Sequence, residues 1–218
     1  MNASLARVSQ TASDSRQLAR RVIKDPRLLE KVMEGLGSEK ARVKFGCAKA
    51  LRLLGETRPD LLYPRFESFV RLLDHPNKIF QWEAAGVLSQ LARVDAEDKF
   101  TAIFDKYFAP IRGPVMITAA NVIRGGARIA AAKPHLADLI AAEVLKVDRA
   151  RYQSPECRNV AIGHAIVALG DFFELLQHPA PALRFVRRQI KNARPATRKK
   201  AEQFLKGVRN RANRPEVK

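Results

Sequence analysis

Apolar residues recur along this chain in a phrase that has helical spacing. In the clearest copy, an aromatic residue is followed by alanine and two leucines at three-residue intervals, and then by glycine: Phe45, Ala48, Leu51, Leu54 and Gly55. Looser copies start at intervals of 35 to 43 residues, at Trp82, Ile117 and Val160. This period is that of a two-helix repeat, and the spacing places the apolar residues on one helical face. The pattern predicts a stack of helical hairpins.

Prolines, glycines and capping residues divide the chain at regular intervals, and almost nothing between them alternates as a strand does. Ser38, Asn77 and Ser154 are predicted to cap the starts of three helices. Consecutive helices pair into five hairpins, each with a first helix A and a second helix B. The predicted pairs are residues 27–36 with 39–54, 60–73 with 78–92, 98–108 with 114–131, 135–146 with 156–169, and 171–192 with 196–208.

These elements predict an all-α fold, a right-handed α-solenoid of about five hairpins. Small residues in the B helices are expected where neighbouring B helices cross, because larger ones would overpack there. We expect one repeat domain over residues 15–208, flanked by a disordered N-terminus at residues 1–14 and a disordered basic tail at residues 209–218. Cys47 and Cys157 are expected to be core residues.

The chain has no apolar run of the roughly 18 to 20 residues that a membrane span needs, and its first residues do not resemble a secretory signal. We therefore expect a cytoplasmic protein. The oligomeric state is not given by the sequence, although a monomer is favoured.

Residues 38–54 and 72–88 resemble HEAT repeats, in which an Asp-containing turn leads through a Val-Arg-like pair to Ala-Ala-x-x-Leu. Val43 and Lys44 fit that pair, whereas Gln81 and Met116 depart from it. The resemblance covers about residues 27 to 170 and implies an armadillo-like α-solenoid. It implies no particular activity, since the family includes scaffolds, transport receptors, maturation factors and some DNA-repair enzymes.

The net charge of +18 is concentrated at the two ends of the chain. Basic residues exceed acidic ones by seven in residues 1–58 and by eleven in residues 180–218. In residues 59–179 the two numbers are equal. Four basic residues at helical spacing form one predicted stripe: Arg184, Arg187, Arg188 and Lys191. Such a stripe can contact nucleic-acid phosphates without base readout, or it can be the polar cap of a last repeat. Among anionic partners nucleic acid is favoured over an acidic protein or a membrane surface.

A second candidate site lies on the predicted B helices, whose exposed sides would line the concave surface of a solenoid. Asn121, Arg124 and Arg128 lie on the helix at residues 114–131, and Asn159 lies on the next B helix. We expect these side chains to form a polar patch for a peptide or another ligand.

No catalytic constellation is apparent in the sequence. His164 has no carboxylate three or four residues away, so a core or groove histidine is favoured over a general base. Trp82 occupies the position of Phe45 and Ile117 in neighbouring repeats, which favours packing over the base-binding role of aromatic residues in HEAT-like DNA glycosylases. Three aromatic residues are expected to form one buried seam on a single helix: Phe100, Phe104 and Phe108.

The sequence therefore favours a non-enzymatic binding or scaffold module that holds a protein partner on its concave face. No cofactor or metal is expected. The alternative is a nucleic-acid-binding protein that uses its basic terminal repeats, and a HEAT-like DNA glycosylase is a less favoured third reading.

Overall fold

The structure, a computed structural model, describes residues 14–212. Within this range every regular element is helical. The α-helices, numbered along the chain, are α1 (Ser15–Lys24), α2 (Leu28–Glu34), α3 (Ala41–Thr57), α4 (Pro59–Leu62), α5 (Phe66–Leu72), α6 (Lys78–Leu91), α7 (Lys99–Ala102), α8 (Phe104–Phe108), α9 (Met116–Ala132), α10 (Ala137–Leu145), α11 (Pro155–Asp171), α12 (Ala180–Gln189) and α13 (Pro195–Ala212). Single 3-10 turns extend or connect them at Gly35–Gly37, Tyr63–Arg65, Ala92–Val94, Ala109–Arg112, Pro134–Leu136, Lys146–Arg149 and Phe173–Leu175.

The chain forms two compact units that divide after Phe104, at the first residue of α8. The N-terminal unit contains α1 to α7, and the C-terminal unit contains the rest of α8 and α9 to α13. The single repeat domain expected for residues 15–208 stays a prediction.

In the N-terminal unit the B helices α1, α3 and α6 lie side by side, with α3 packed against both of the others. The A helices α2 and α5 pack on α3 and α6 respectively. Leu51, Leu54 and Leu88 are almost completely buried in this core. The leucines of the recurring phrase therefore form the core, as predicted, and α1 adds a B helix before the first predicted hairpin.

In the C-terminal unit the B helices α9, α11 and α13 form a second set, in which α11 packs against both α9 and α13. We call these three helices the B row. The A helices α10 and α12 pack on α9 and on α13 respectively. A Cβ atom added to Gly163 of α11 would lie 3.0 Å from Thr197 Oγ1 of α13, and one added to Gly170 would lie 3.4 Å from the Phe204 ring. Small residues therefore lie where α11 and α13 meet, as predicted.

Two of the three predicted caps are confirmed. Asn77 Oδ1 accepts a hydrogen bond from the Ile79 amide at 2.9 Å, and Ser154 Oγ accepts one from the Cys157 amide at 3.1 Å. The prediction for Ser38 is wrong, because α3 begins after Lys40, which has an extended backbone. Ser38 lies two residues before this N-cap residue. Its hydroxyl accepts a hydrogen bond from the Lys40 amide at 3.3 Å, and not from an amide of the first helical turn.

The single helix predicted at residues 98–108 is in fact two short helices, α7 and α8, that are interrupted at Ile103. Phe100 and Phe108 are fully buried, but they lie in different helices, and Phe104 is only half-buried. The prediction of one aromatic seam on one helix is therefore wrong. The Asp95 carboxylate accepts hydrogen bonds from the Lys99 and Phe100 amides, so a residue outside the predicted helix fixes where α7 begins.

The last helix continues to Ala212, so the prediction of a disordered tail from residue 209 is wrong for residues 209–212. Arg211 forms an ion pair with Glu174 at 2.6 Å, and the Phe204 ring packs edge-on against Phe173 at a centroid distance of 5.2 Å. Through these two contacts α13 packs against the 3-10 turn Phe173–Leu175, which lies about 30 residues earlier in the chain. The predictions for residues 1–13 and 213–218 lie outside the described residues.

We expect Gly113→Ala to destabilise the protein by about 2 kcal/mol or more. Gly113 has a φ of 106° and a ψ of −171°, a region that side-chain-bearing residues avoid, and an added Cβ would lie 2.1 Å from the Arg151 carbonyl oxygen. Gly37→Ala is the matched control, since a Cβ there meets no atom within 4 Å. Urea unfolding of both variants measures the difference, and equal stabilities would contradict the role of Gly113.

A cationic groove on the B row

The B row of the C-terminal unit carries a groove of about 420 Å³. All three of its helices contribute to the lining, which combines charged side chains with small apolar ones. The lining residues are Arg124, Ala127, Arg128, Ala131, His164, Val167, Ala168, Asp171 and Lys200.

Two helices line the groove with the same spacing. On α9 the lining residues are Arg124, Ala127, Arg128 and Ala131, and on α11 they are His164, Val167, Ala168 and Asp171. Both sets follow the positions i, i+3, i+4 and i+7, which form one face of an α-helix. Each helix therefore presents polar side chains together with small apolar ones, and the groove has a mixed lining of charged and apolar side chains.

The third helix, α13, contributes Lys200 across a close contact with α11. A Cβ added to Gly163 would lie 3.4 Å from Lys200 Nζ and 3.5 Å from Lys200 Cδ. The Lys200 side chain thus lies directly over the Gly163 backbone, one residue before His164. The absence of a side chain at Gly163 lets the ammonium group of Lys200 share the groove with the imidazole of His164.

The positive charges of the groove act on one another. Burial lowers the pKa of His164 below its ordinary value, and Lys200, Arg124 and Arg194 lower it further by repulsion. Burial also lowers the pKa of Lys200, with a further contribution from Arg194. Burial raises the pKa of Asp171, the one carboxylate that lines the groove. The groove is therefore a region of accumulated positive potential in a partly desolvated setting.

The groove cations lack the carboxylate partners that other cations of this protein have. Arg124 Nη2 donates a hydrogen bond to Asn121 Oδ1 at 2.9 Å, and in residues 14–212 no carboxylate forms an ion pair with Arg124, Arg128 or Lys200. Nearby, Arg194 is paired with Glu156 at 2.7 Å. The groove thus retains positive charge that is available to an anionic ligand.

The structure places the predicted patch residues in two different settings. Arg124 and Arg128 line the groove, and Asn121 lies one turn before Arg124 and holds its guanidinium. Asn159 is not brought to the groove. Its side-chain oxygen accepts a hydrogen bond from Asn192 at 3.2 Å, and its carbonyl accepts one from the Thr197 hydroxyl at 2.8 Å, so it connects α11 to the start of α13.

The predicted basic stripe lies on the A helix α12 and just beyond it, and not on the B row. Arg184, Arg187, Arg188 and Lys191 are all exposed. Arg188 forms an ion pair with Asp148 at 2.8 Å. The stripe and the groove are therefore two separate cationic surfaces within the C-terminal unit.

Sequence reasoning did not assign His164, Asp171 and Lys200 to a binding site, although it left open a groove position for His164. The helical spacing of His164, Val167, Ala168 and Asp171 repeats that of α9, and this match could have identified the α11 face. No sequence signal identifies Lys200, because its place depends on how α13 packs on α11.

Two further positions considered in the sequence, Cys47 and Trp82, lie outside the groove. Cys47 is buried, and burial raises the pKa of its thiol to about 11. Trp82 is half-buried, and Ile117, at the equivalent position in α9, is 48% exposed, so this position is not a core position in every repeat.

Within residues 14–212 no three His, Cys, Asp or Glu side chains are grouped closely enough to hold a metal ion. None of the helices in that range has the length and apolar character to cross a membrane.

The stacked hairpins define an all-α solenoid of the armadillo and HEAT-like class. Two solved structures have the same fold. A designed armadillo repeat protein matches with a TM-score of 0.57 and 17% identity over 94% of this chain and 91% of the other. An engineered protein solved by a structural genomics consortium matches with a TM-score of 0.55 and 15% identity, over 94% of this chain and 89% of that one. No protein-family model and no curated protein matches the sequence.

We expect the stability of the protein to fall on acidification partly because of His164. Burial and neighbouring cations lower its pKa in the folded state, so the unfolded chain binds the proton more readily. Its contribution is therefore lost as the pH falls below about 6.5. His164→Gln should show a smaller fall in Tm between about pH 7.5 and about pH 5.5 than the wild type.

The control is His135→Gln, which removes an exposed imidazole that does not line the groove. Circular dichroism melts of both variants across the pH series measure the effect. An unchanged pH dependence in His164→Gln would contradict the electrostatic account of the groove.

Proposed function

We propose that this protein is a non-enzymatic binding module that holds a segment of a protein partner in the B-row groove. One observation carries the proposal: three neighbouring B helices jointly line a groove that combines three cationic side chains with small apolar ones. Repeat proteins commonly present such surfaces to partners, because their stacked helices form an extended framework that does not depend on the identity of the exposed residues.

The chemistry of the groove favours an acidic segment as the ligand. Arg124 and Arg128 present planar guanidinium groups that can bind carboxylates with two parallel hydrogen bonds. Between the charged groups, Val167 is 45% exposed and can contact the aliphatic part of a ligand. The expected ligand is therefore a peptide segment that has acidic side chains beside at least one apolar side chain.

Site-specific photo-crosslinking tests this proposal. Val167→p-benzoylphenylalanine places a photoreactive group in the groove, and the same replacement at Leu139 serves as the control. Leu139 is 57% exposed on the A helix α10, so both positions are accessible apolar sites in the same unit. Irradiation of cells that make the protein should give a discrete crosslinked product from position 167 and not from position 139.

Mass spectrometry of the product should identify an acidic segment of the partner. Adding Arg124→Ala and Arg128→Ala should reduce the crosslink several-fold, because both cations of α9 are then absent. Equal crosslinking from positions 167 and 139, or a product unaffected by the arginine replacements, would refute binding in the groove.

A second candidate function is nucleic-acid binding through the basic stripe of α12. The observation that favours it is the exposure of the stripe: in the described part of the chain no carboxylate pairs with Arg184, Arg187 or Lys191. Closely spaced cations on one helix bind phosphates by releasing counterions, without sequence preference. A HEAT-like DNA glycosylase, the third alternative, has no residue assigned to it and stays a prediction.

For the second candidate we expect binding of a short DNA duplex at about 50 mM salt that weakens steeply as salt is added. Arg184→Ala, Arg187→Ala and Lys191→Ala together should weaken it and lower the slope of log K against log salt by up to about 3. The groove variant Arg124→Ala with Arg128→Ala is the matched control and should retain most of the binding. Fluorescence anisotropy measures both, and an absence of binding at about 50 mM salt would exclude this function.

A further inference from the structure

The charge balance of the groove indicates which anion it fits. Arg124, Arg128 and Lys200 are three cations, and Asp171 is the single carboxylate among the lining residues. With His164 neutral, the lining has an excess of two positive charges. A phosphate monoester carries about −1.5 to −2 charges at neutral pH, whereas a glutamate side chain carries one. A phosphate monoester therefore balances the groove, and a single carboxylate leaves it positively charged.

The arrangement of donors also fits a phosphate group. Two guanidinium groups come from α9, an ammonium group comes from α13, and the His164 ring lies on α11 between them in the packing order. Donors that converge from three helices suit a tetrahedral group with several acceptor oxygens better than a planar carboxylate. The volume of about 420 Å³ exceeds what the phosphate needs, so there is room for the side chain that bears it and for flanking residues.

The mutual repulsion of the groove cations gives a dianion an additional advantage. The pKa of His164 is lowered by burial and by Lys200, Arg124 and Arg194, which shows that these charges oppose further positive charge in the free protein. A bound dianion would cancel that repulsion, because opposite charge favours the protonated imidazole. Asp171, on the same helix, is the one groove group that would oppose a dianion.

We infer that the B-row groove is a receptor for a phosphorylated side chain on the partner segment, with Arg124, Arg128 and Lys200 contacting the phosphate oxygens and His164 donating a hydrogen bond to them. This inference rests on the proposed function, since it specifies the chemistry of the segment that the groove holds. Ala127, Ala131 and Val167 would then contact the aliphatic and backbone atoms beside the phosphate.

Three capped peptides that differ at one central position test the inference, with phosphoserine, serine or glutamate at that position. The full chain should bind the phosphoserine peptide at least about 10-fold more tightly than either of the others, a difference that corresponds to about 1.4 kcal/mol. Isothermal titration calorimetry measures the three affinities. Equal affinities for the phosphoserine and glutamate peptides would overturn the inference.

Nuclear magnetic resonance of the His164 ring provides a readout at the site itself. Binding of the phosphoserine peptide should raise the pKa of His164, so that binding takes up a proton near neutral pH. Lys200→Met should reduce the affinity about 10-fold or more, whereas Lys206→Met, which removes an exposed cation of the same helix outside the groove, should change it little. An unmoved His164 pKa, or equal losses in the two variants, would contradict the assignment.

Inorganic phosphate distinguishes the two sources of this ligand chemistry. If the phosphate is borne on a partner, the phosphoserine peptide should bind more tightly than free phosphate, and free phosphate should displace it only at high concentration. If free phosphate binds as tightly as the peptide, the groove takes a small phosphate compound and the inference fails. A positive crosslink from Val167 together with failure of the phosphoserine peptide would refute this inference while leaving the proposed function intact.

Discussion

Close approach between neighbouring B helices is the constraint on which the rest of this protein depends. In the C-terminal unit, Gly163 lies against Thr197 and Lys200, and Gly170 lies against Phe204. In the N-terminal unit, a Cβ at Gly86 would lie 2.8 Å from Arg52 Cδ, and Arg52 in turn pairs with Glu83 at 2.8 Å. Because these positions have no side chain, charged residues can lie across the helix contacts. Two of the small residues that permit the stacking, Gly86 and Gly163, therefore also accommodate a half-buried cation at a helix contact.

The helical hairpins could be predicted because the information that specifies them is local. The three-residue spacing of apolar residues and the caps at Asn77 and Ser154 depend on residues only a few positions apart. The errors occurred where a contact with a distant residue or the local chemistry of a turn decides the structure. Arg211, beyond the predicted end of α13, pairs with Glu174, a residue 37 positions earlier in the chain. The apolar pattern also does not predict the break after α7 at Ile103, nor the cap that Asp95 provides at the start of α7.

The candidate site was predicted in part for the same reason. Arg124 and Arg128 lie on one face of one helix, which the spacing shows directly. Asn159 appeared equivalent in the sequence, but it is engaged by Asn192, a residue 33 positions away. Lys200 reaches the groove only because α13 packs on α11 in one particular register. Residues contributed by a neighbouring helix thus could not be assigned from the pattern of a single helix.

The positive charge of the chain is distributed over more than one surface of the C-terminal unit. On the A-helix side of the C-terminal unit the charges are mixed: Arg188 pairs with Asp148 and Arg112 lies 3.6 Å from Glu143, whereas the other cations of the basic stripe have no carboxylate partner in the described residues. In the groove, Arg128 and Lys200 have no such partner among residues 14–212. Net charge alone therefore does not identify a binding surface, whereas the distribution of compensated and uncompensated charges does.

The position of Lys200 on α13 has a thermodynamic consequence for the whole C-terminal unit. Among the described elements, α13 makes its main contacts with α11 and α12. As in other repeat proteins, the stability of this terminal helix therefore depends on its contacts with the neighbouring helices. A ligand that contacts both α9 and Lys200 binds only when α13 is docked. Occupancy of the groove and folding of the final hairpin are then linked reactions, and ligand concentration sets how often that hairpin opens.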